Sequence, residues 1–452
     1  MKMLCTTRTA ARASHGSPAR TTWWRHAAAA VLMFLCGGCQ LMDMARFSYD
    51  NATSSHSWAT ANHETTVPFT LIDNHVILPV RINGSETMNF VLDSGAAATV
   101  IMDSRKTRSL ALESSSQITV SGVGAGPDPV AHIVRDTTLA LGSLQLEGQS
   151  VVYLPMASVP FFTDLDDVYF DGVVGAPFFS RFTVAIDYDR KLITFSEPSG
   201  AREVDALAGE WRVIPLQIEG GVPYLAAQVS NTHGAPVEVK LLADTGARGA
   251  LSLTPETHQG LPLPTAYFET VNQGLSGDVA SRMTMSESLA LGPYPLGALP
   301  VDYALAGGES DNNSNGILGN EVLSRFNLVF DYQNERLLLS PNQHFAQPLS
   351  ADRSGLQIRP HQLGGIVRRI APDSSAAGSS LQVGDIITSF NATPVSTLTV
   401  GELKRALASD ARSVELCWQS GVRSVCEDLP LASRFRNHAK RETKVVHALA
   451  GR

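Results

Sequence analysis

"FVLDSGAAATVIM", Phe90 to Met102, is an apolar run, then one carboxylate and a string of small residues, then a second apolar run. A charge at the end of such a strand has two readings. Asp-Ser-Gly is ordinary turn chemistry, which would put Asp93 at the surface. A buried aspartate without partners is costly, so the other reading is a carboxylate held there for its chemistry; taken alone, the stretch favours the turn.

The rest of the chain separates the two. At 237–253 the sequence reads "VEVKLLADTGARGALSL", again an apolar strand followed by an acid, a hydroxyl residue and a glycine, Asp244-Thr245-Gly246. "TTLALGSLQLEGQSVVYL" (137–154) is echoed by "ESLALGPYPLGALPVDYAL" (287–305), and "DGVVGAPFFSRFTVAIDYDRKLITF" (171–195) by "NGILGNEVLSRFNLVFDYQNERLLL" (315–339). Three landmarks in one order at nearly one spacing mark an internal duplication. A surface turn has no reason to recur in that company. Asp93 and Asp244 are therefore a matched pair.

Each copy consists of short alternating apolar segments broken by Gly, Pro and Asn, which predicts two mainly β lobes. Two like lobes can pack about a pseudo-twofold axis, where their Asp-containing loops would meet. The 452 residues are 44% hydrophobic and 17% charged, with 36 Gly and 24 Pro, which suits two to four strand-rich domains. The net charge of −8 argues against nucleic-acid binding, and no phosphate-binding loop is present.

With these residues in view, the chain resembles the retropepsin-like aspartic proteases over roughly 68–343. "LDSGA", "ADTGA" and the downstream elements "VVG" (173–175) and "ILG" (317–319) carry the likeness. The resemblance implies an acid-protease fold with both lobes in one chain, acting as a monomer. It implies Asp93 and Asp244 as the catalytic dyad, and peptide hydrolysis without metal or cofactor. Ser94 and Thr245 would bond across the axis, and Gly95 and Gly246 would let backbone approach the carboxylates. Ala96 and Ala247 stand where pepsin-like enzymes carry a hydroxyl that stabilises the anion. The expected consequence is a higher-titrating dyad and an optimum nearer neutral than strongly acid. Flaps are expected at 118–134, with Gly122, Gly124 and Gly126, and at 269–285, with Gly274 and Gly277. Arg248 is either aimed at the dyad, where it would favour the inactive doubly ionised form, or turned outward.

"GGIVRRIAPDSSAAGSSLQVGDIITSFNATPV" (364–395) with a helix over Val400–Leu407 resembles a PDZ domain, which implies a small α+β unit that binds an extended C-terminal peptide by strand addition. Leu363, Gly364, Gly365 and Ile366 are the expected peptide-binding loop. Cys417 and Cys426 would face each other if the hairpin turns at Gly421-Val422; a disulfide and two partly buried thiols both fit. The other three cysteines lie in the leader, and scattered histidines predict no metal site.

Lys2, Arg8, Arg12, Arg20 and Arg25 precede the apolar run "AAAAVLMFLCGGC" (27–39), too short to span a bilayer. This segment resembles a bacterial lipoprotein signal ending at Cys39, which would be lipidated; Gln40 after it implies the outer membrane. The resulting division is 1–39 signal, 40–66 linker, 67–200 first lobe, 208–343 second lobe, 344–354 linker, 355–431 PDZ domain and 432–452 basic tail. The expected function is an envelope-anchored aspartic endopeptidase acting on peptides or proteins. The alternative is a catalytically silent scaffold with the same folds.

Overall fold

The computed structural model describes residues 42–159, 169–198, 211–230, 235–308, 314–361, 363–395 and 398–437. In the first lobe the Met88–Leu92 strand is antiparallel to His75–Ile82 and parallel to Gly172–Val174. Gly172–Val174 pairs in turn with Val100–Met102, which runs parallel to Leu144–Leu154. The second lobe repeats this lattice. Val237–Asp244 is antiparallel to Val222–Ser230 and parallel to Gly316–Gly319, which pairs with Leu251–Leu253, itself parallel to Leu299–Ala304. Parallel strands buried on both faces need continuous apolar runs. "FVL" and "LLA" before the two aspartates supply them.

A six-stranded sheet joins the lobes, three strands from each. Its centre is the pairing of Thr183–Asp187 with Phe326–Asp331, where Ala185 faces Val329. These are the two copies of one hairpin, so the pseudo-twofold axis passes through equivalent residues. Val184, Ile186, Leu328 and Phe330 join the core shared by both lobes.

The PDZ sheet runs in the order Leu356–His361, Gly364–Ile370, Ile386–Phe390, Ser413–Ser420, Arg423–Pro430. Its helix spans Val400–Leu407, opened by a Thr399/Glu402 capping box and burying Val400, Leu403 and Leu407. Cys417 lies opposite Cys426 and the two form a disulfide, with the hairpin turning at Gly421-Val422.

Three segments expected to be loose are packed instead. Within 40–66, residues 42–53 are helical, and Phe47 enters a lobe 1 cluster while Arg135 pairs with Asp43 and Asp50. Ser55–Trp58 and Glu64–Pro68 extend two sheets. In 344–354 the Arg325 guanidinium donates to the carbonyls of His344 and Gln347, both at 2.6 Å, and Leu349 and Ala351 are buried. At the start of the basic tail, Arg436–Asn437 pairs with Ala266–Gly274, and Arg434 lies 3.9 Å over the Phe268 ring. Polar composition hid these contacts because long cationic side chains pack through their stems and faces. Residues 438–452 and the leader with Cys39 lie outside the described residues, as does 160–168. No helix among the described residues is long and apolar enough to cross a membrane.

Candidate active site

The two dyad strands end at the interlobe axis. The Asp93 N–H donates to the Val174 carbonyl at 3.0 Å, and Asp244 stands opposite Gly319. Each carboxylate lies over the other lobe's glycine. A Cβ on Gly95 would sit 2.7 Å from Asp244 Cγ, and one on Gly246 would sit 2.4 Å from Asp93 Cγ. No other residue fits at either place. The Gly246 and Ala247 N–H groups donate to Asp244 Oδ1 at 2.8 and 3.0 Å, while Asp93 Oδ1 is buried without a hydrogen-bond partner. Burial, and then the neighbouring Asp93 charge, push the Asp244 carboxyl well above its usual range.

Ser94 and Thr245 lock the loops together. The Ser94 hydroxyl donates to the Ala243 carbonyl at 2.7 Å and accepts from the Thr245 N–H at 3.0 Å. The Thr245 hydroxyl donates to the Leu92 carbonyl at 2.8 Å and accepts from the Ser94 N–H at 3.0 Å. Both side chains are fully buried. Thr245→Val keeps the shape but strands an N–H and a carbonyl, so the variant should lose about 2–4 kcal/mol in urea unfolding. A loss under about 0.5 kcal/mol, the scale of a surface substitution, would mean the lock is dispensable.

Further residues hold the second loop from outside the motif. Asp73 and Asn74, at φ 52° and 65°, make the tight turn between Thr70–Ile72 and His75–Ile82. His75 Nε2 lies 2.9 Å from the Gly246 carbonyl and Nδ1 lies 2.8 Å from the Tyr169 hydroxyl. Burial, reinforced by the Arg248 charge, pushes the imidazole down to about 3, so it is neutral near pH 7. A carbonyl only accepts, so Nε2 carries the proton and Nδ1 accepts from Tyr169.

Arg248 points away from the dyad. Its guanidinium meets Asp73 at 2.5 Å, and Lys404 of the PDZ helix donates to the other Asp73 oxygen. Burial alone would raise the Asp73 carboxyl, but the charges of Lys404 and Arg248 outweigh it and hold the group far below the carboxylate range. The Asn74 amide donates to the Arg248 carbonyl at 2.9 Å, and Asn320 donates to the Asn74 carbonyl at 2.6 Å. The signal that could have found this turn is the Asp-Asn pair in "LIDNHVIL" (71–78); its partners lie far away in the chain.

The five glycines expected in the flaps lie in two segments that meet each other. The Gly126 N–H donates to the Ser276 carbonyl at 2.7 Å, and the Ser276 N–H to the Val123 carbonyl at 3.0 Å. The Gly122 N–H donates to Ser276 Oγ at 3.1 Å. Gly124 (φ +143°) and Gly277 (φ +107°) take backbone geometries that side chains resist, and a Cβ on Gly274 would strike the Val123 carbonyl at 2.1 Å. The hairpin of Ala266–Gly274 and Gly277–Ser286 also touches the PDZ domain. Gln357 donates to the Val271 carbonyl and Arg359 to Gln273, both at 2.6 Å, and Arg369 pairs with Asp278 at 3.2 Å.

The expected PDZ loop is corrected by the sheet order. Gly364, Gly365 and Ile366 lie in an interior strand paired with Leu356–His361 on one side; Gly365 and Ile366 also pair with Ile386–Phe390 on the other. Leu363 sits exposed in the turn before it. Of the two strands that end this sheet, Leu356–His361 and Arg423–Pro430, the first lies beside the Val400–Leu407 helix.

Residues 78–178 match the aspartyl protease family model, and residues 346–417 match that of the PDZ domain. A solved structure, the aspartic proteinase from Irpex lacteus, aligns over 63% of this chain and 99% of its own at 14% identity, with a TM-score of 0.40. No curated protein matches. The chain is thus a mainly β protein whose residues 78–178 match the aspartyl protease family and whose residues 346–417 match the PDZ domain.

Proposed function

We propose that the protein is an aspartic endopeptidase whose PDZ domain recruits or senses peptide and protein substrates, anchored through Cys39 in the bacterial envelope. The observation that carries this reading is the crossed seating of Asp93 and Asp244 over Gly246 and Gly95, with one carboxyl pushed well upward. Two buried carboxyls in contact share one proton and titrate as a pair. The ionised member takes a proton from a water lying between them, and that water attacks the scissile carbonyl. The protonated member donates to the carbonyl oxygen. Collapse of the tetrahedral species returns a proton to the leaving amine and frees both products. Arg248, spent on Asp73, leaves the shared proton undisturbed. The glycine-rich flaps would open for substrate and close over it.

The test is cleavage of a mixed peptide library by the chain from residue 40, with mass-spectrometric mapping between pH 3 and 9. The active form carries one proton on the pair. Raising pH through the elevated value removes that proton, so kcat/KM falls on the alkaline side; protonation of the second carboxyl produces the acid limb. The expected profile is a bell with its maximum above about pH 4, the ordinary aspartate value. A maximum below it would contradict the raised dyad. Absence of cleavage at every pH would favour the silent scaffold.

A further inference from the structure

The two lobes repeat each other in backbone at the cleft wall but not in chemistry. In lobe 1, Val173 lies opposite Val100, and Val100 lies beside Val152. In lobe 2 the same ladder places Ile317 opposite Ser252, and Ser252 beside Asp302. Directly paired residues project to one face of a sheet. Ile317 belongs to a cluster with Val222, Tyr224 and Leu242 against which Val123 of the 118–134 hairpin and Ala247 beside Asp244 pack, so this face is taken as the cleft side. Asp302 therefore stands where lobe 1 has a valine.

Asp302 Oδ1 is buried and makes no hydrogen bond. Asn272, on the second flap, is its hydrogen-bond partner, and burial pushes its carboxyl up to about 7. Among the described residues, the charged group that bears on it is another acid, Glu321. Arg248 and Lys404 are committed to Asp73, and Arg325 donates to the carbonyls after the second lobe. Arg282, one residue from Asp302's strand partner Met283, takes the opposite face and stacks 4.3 Å over Tyr267. A carboxyl kept in a wall without a counter-ion is unfavourable unless a ligand brings one.

We propose that Asp302, with Ser252 and Asn272, forms an acidic subsite on lobe 2 that receives a lysine or arginine side chain of the substrate, facing an apolar subsite over Val100, Val152 and Val173. This rests on the endopeptidase reading and gives it a substrate class: peptides with a basic residue on one side of the scissile bond and an apolar one on the other. Entry of the cation drives the carboxyl to its ionised form and supplies a charge-assisted hydrogen bond to Oδ1. A site built for such a bond rejects analogues that lack it.

The experiment compares the full chain, Asp302→Asn and Asp302→Leu on matched peptides carrying lysine or norleucine at each position near the scissile bond. The wild type should prefer lysine at one position by about tenfold or more in kcat/KM, the scale of one good polar contact. Asp302→Asn should erase the preference and Asp302→Leu should reverse it. Identical preferences in all three chains would overturn the subsite. If the wild type cleaves nothing, the endopeptidase reading fails, and the same pairs are made as uncleavable reduced-amide peptides for calorimetry. Lysine-selective binding lost in Asp302→Asn then sustains the subsite; equal binding of both peptides, or none, overturns it.

Discussion

Asparagine at either dyad position should lower peptide cleavage by about a thousandfold or more, as removal of a general acid–base pair does. The fold should survive both changes. Asp244 Oδ1 accepts from two N–H groups, and an asparagine oxygen can still do so. Asp93 Oδ1 accepts nothing, so an amide there loses no bond. Each substitution also removes a buried acid from a pair that repels itself when ionised, so thermal midpoints should hold or rise. The two variants must fail equally, since a shared proton has no single owner. Activity surviving in either one would remove the dyad from the mechanism.

Much of this site could be read from sequence because its signals are local and duplicated. Apolar strand, acid, hydroxyl and glycine are consecutive in both copies, and the repeat spacing reports the symmetry axis before any contact is known. The PDZ helix was legible to the residue, since Thr399 and Glu402 cap it and Val400, Leu403 and Leu407 share a face. The terminal segments were not, because their partners lie in distant parts of the chain and their composition resembles that of linkers. Phe47 enters the core one apolar residue at a time, and the tail is held by Arg434 and Phe435 against Phe268. Leu363–Ile366 failed for a different reason: a Gly-Gly pair suggests a loop, whereas here it lies inside a paired strand where Gly365 tolerates the close approach of Ile358.

Asp73 joins three regions that sequence order keeps apart: the lobe 1 turn that carries it, the second dyad loop through Arg248, and the PDZ helix through Lys404. Asp73→Asn leaves two cations facing each other with no anion between them. Removing one member of a buried ion pair costs about 3–5 kcal/mol; Arg248 and Lys404 keep 30% and 39% of their side-chain exposure, which favours the lower end, about 3. The pH dependence has a definite sign. The folded carboxyl titrates far below its unfolded value, so its stabilisation is complete above about pH 4 and declines as pH falls toward the folded value. Urea unfolding should therefore show the full wild-type advantage at pH 7 and a smaller one at pH 3. The variant should also reach the chemistry. A released Arg248 can turn toward the dyad, where its charge favours the doubly ionised pair, so the alkaline limb of the cleavage profile should move to lower pH. Lys404→Met made alone removes one cation and leaves Asp73 paired, so it should cost less than Asp73→Asn, and the double variant should be less destabilised than the two losses added together. Additive losses would mean that the PDZ helix merely rests on the two lobes; coupling between them would mean that the position of the PDZ domain is felt at the Asp244 loop.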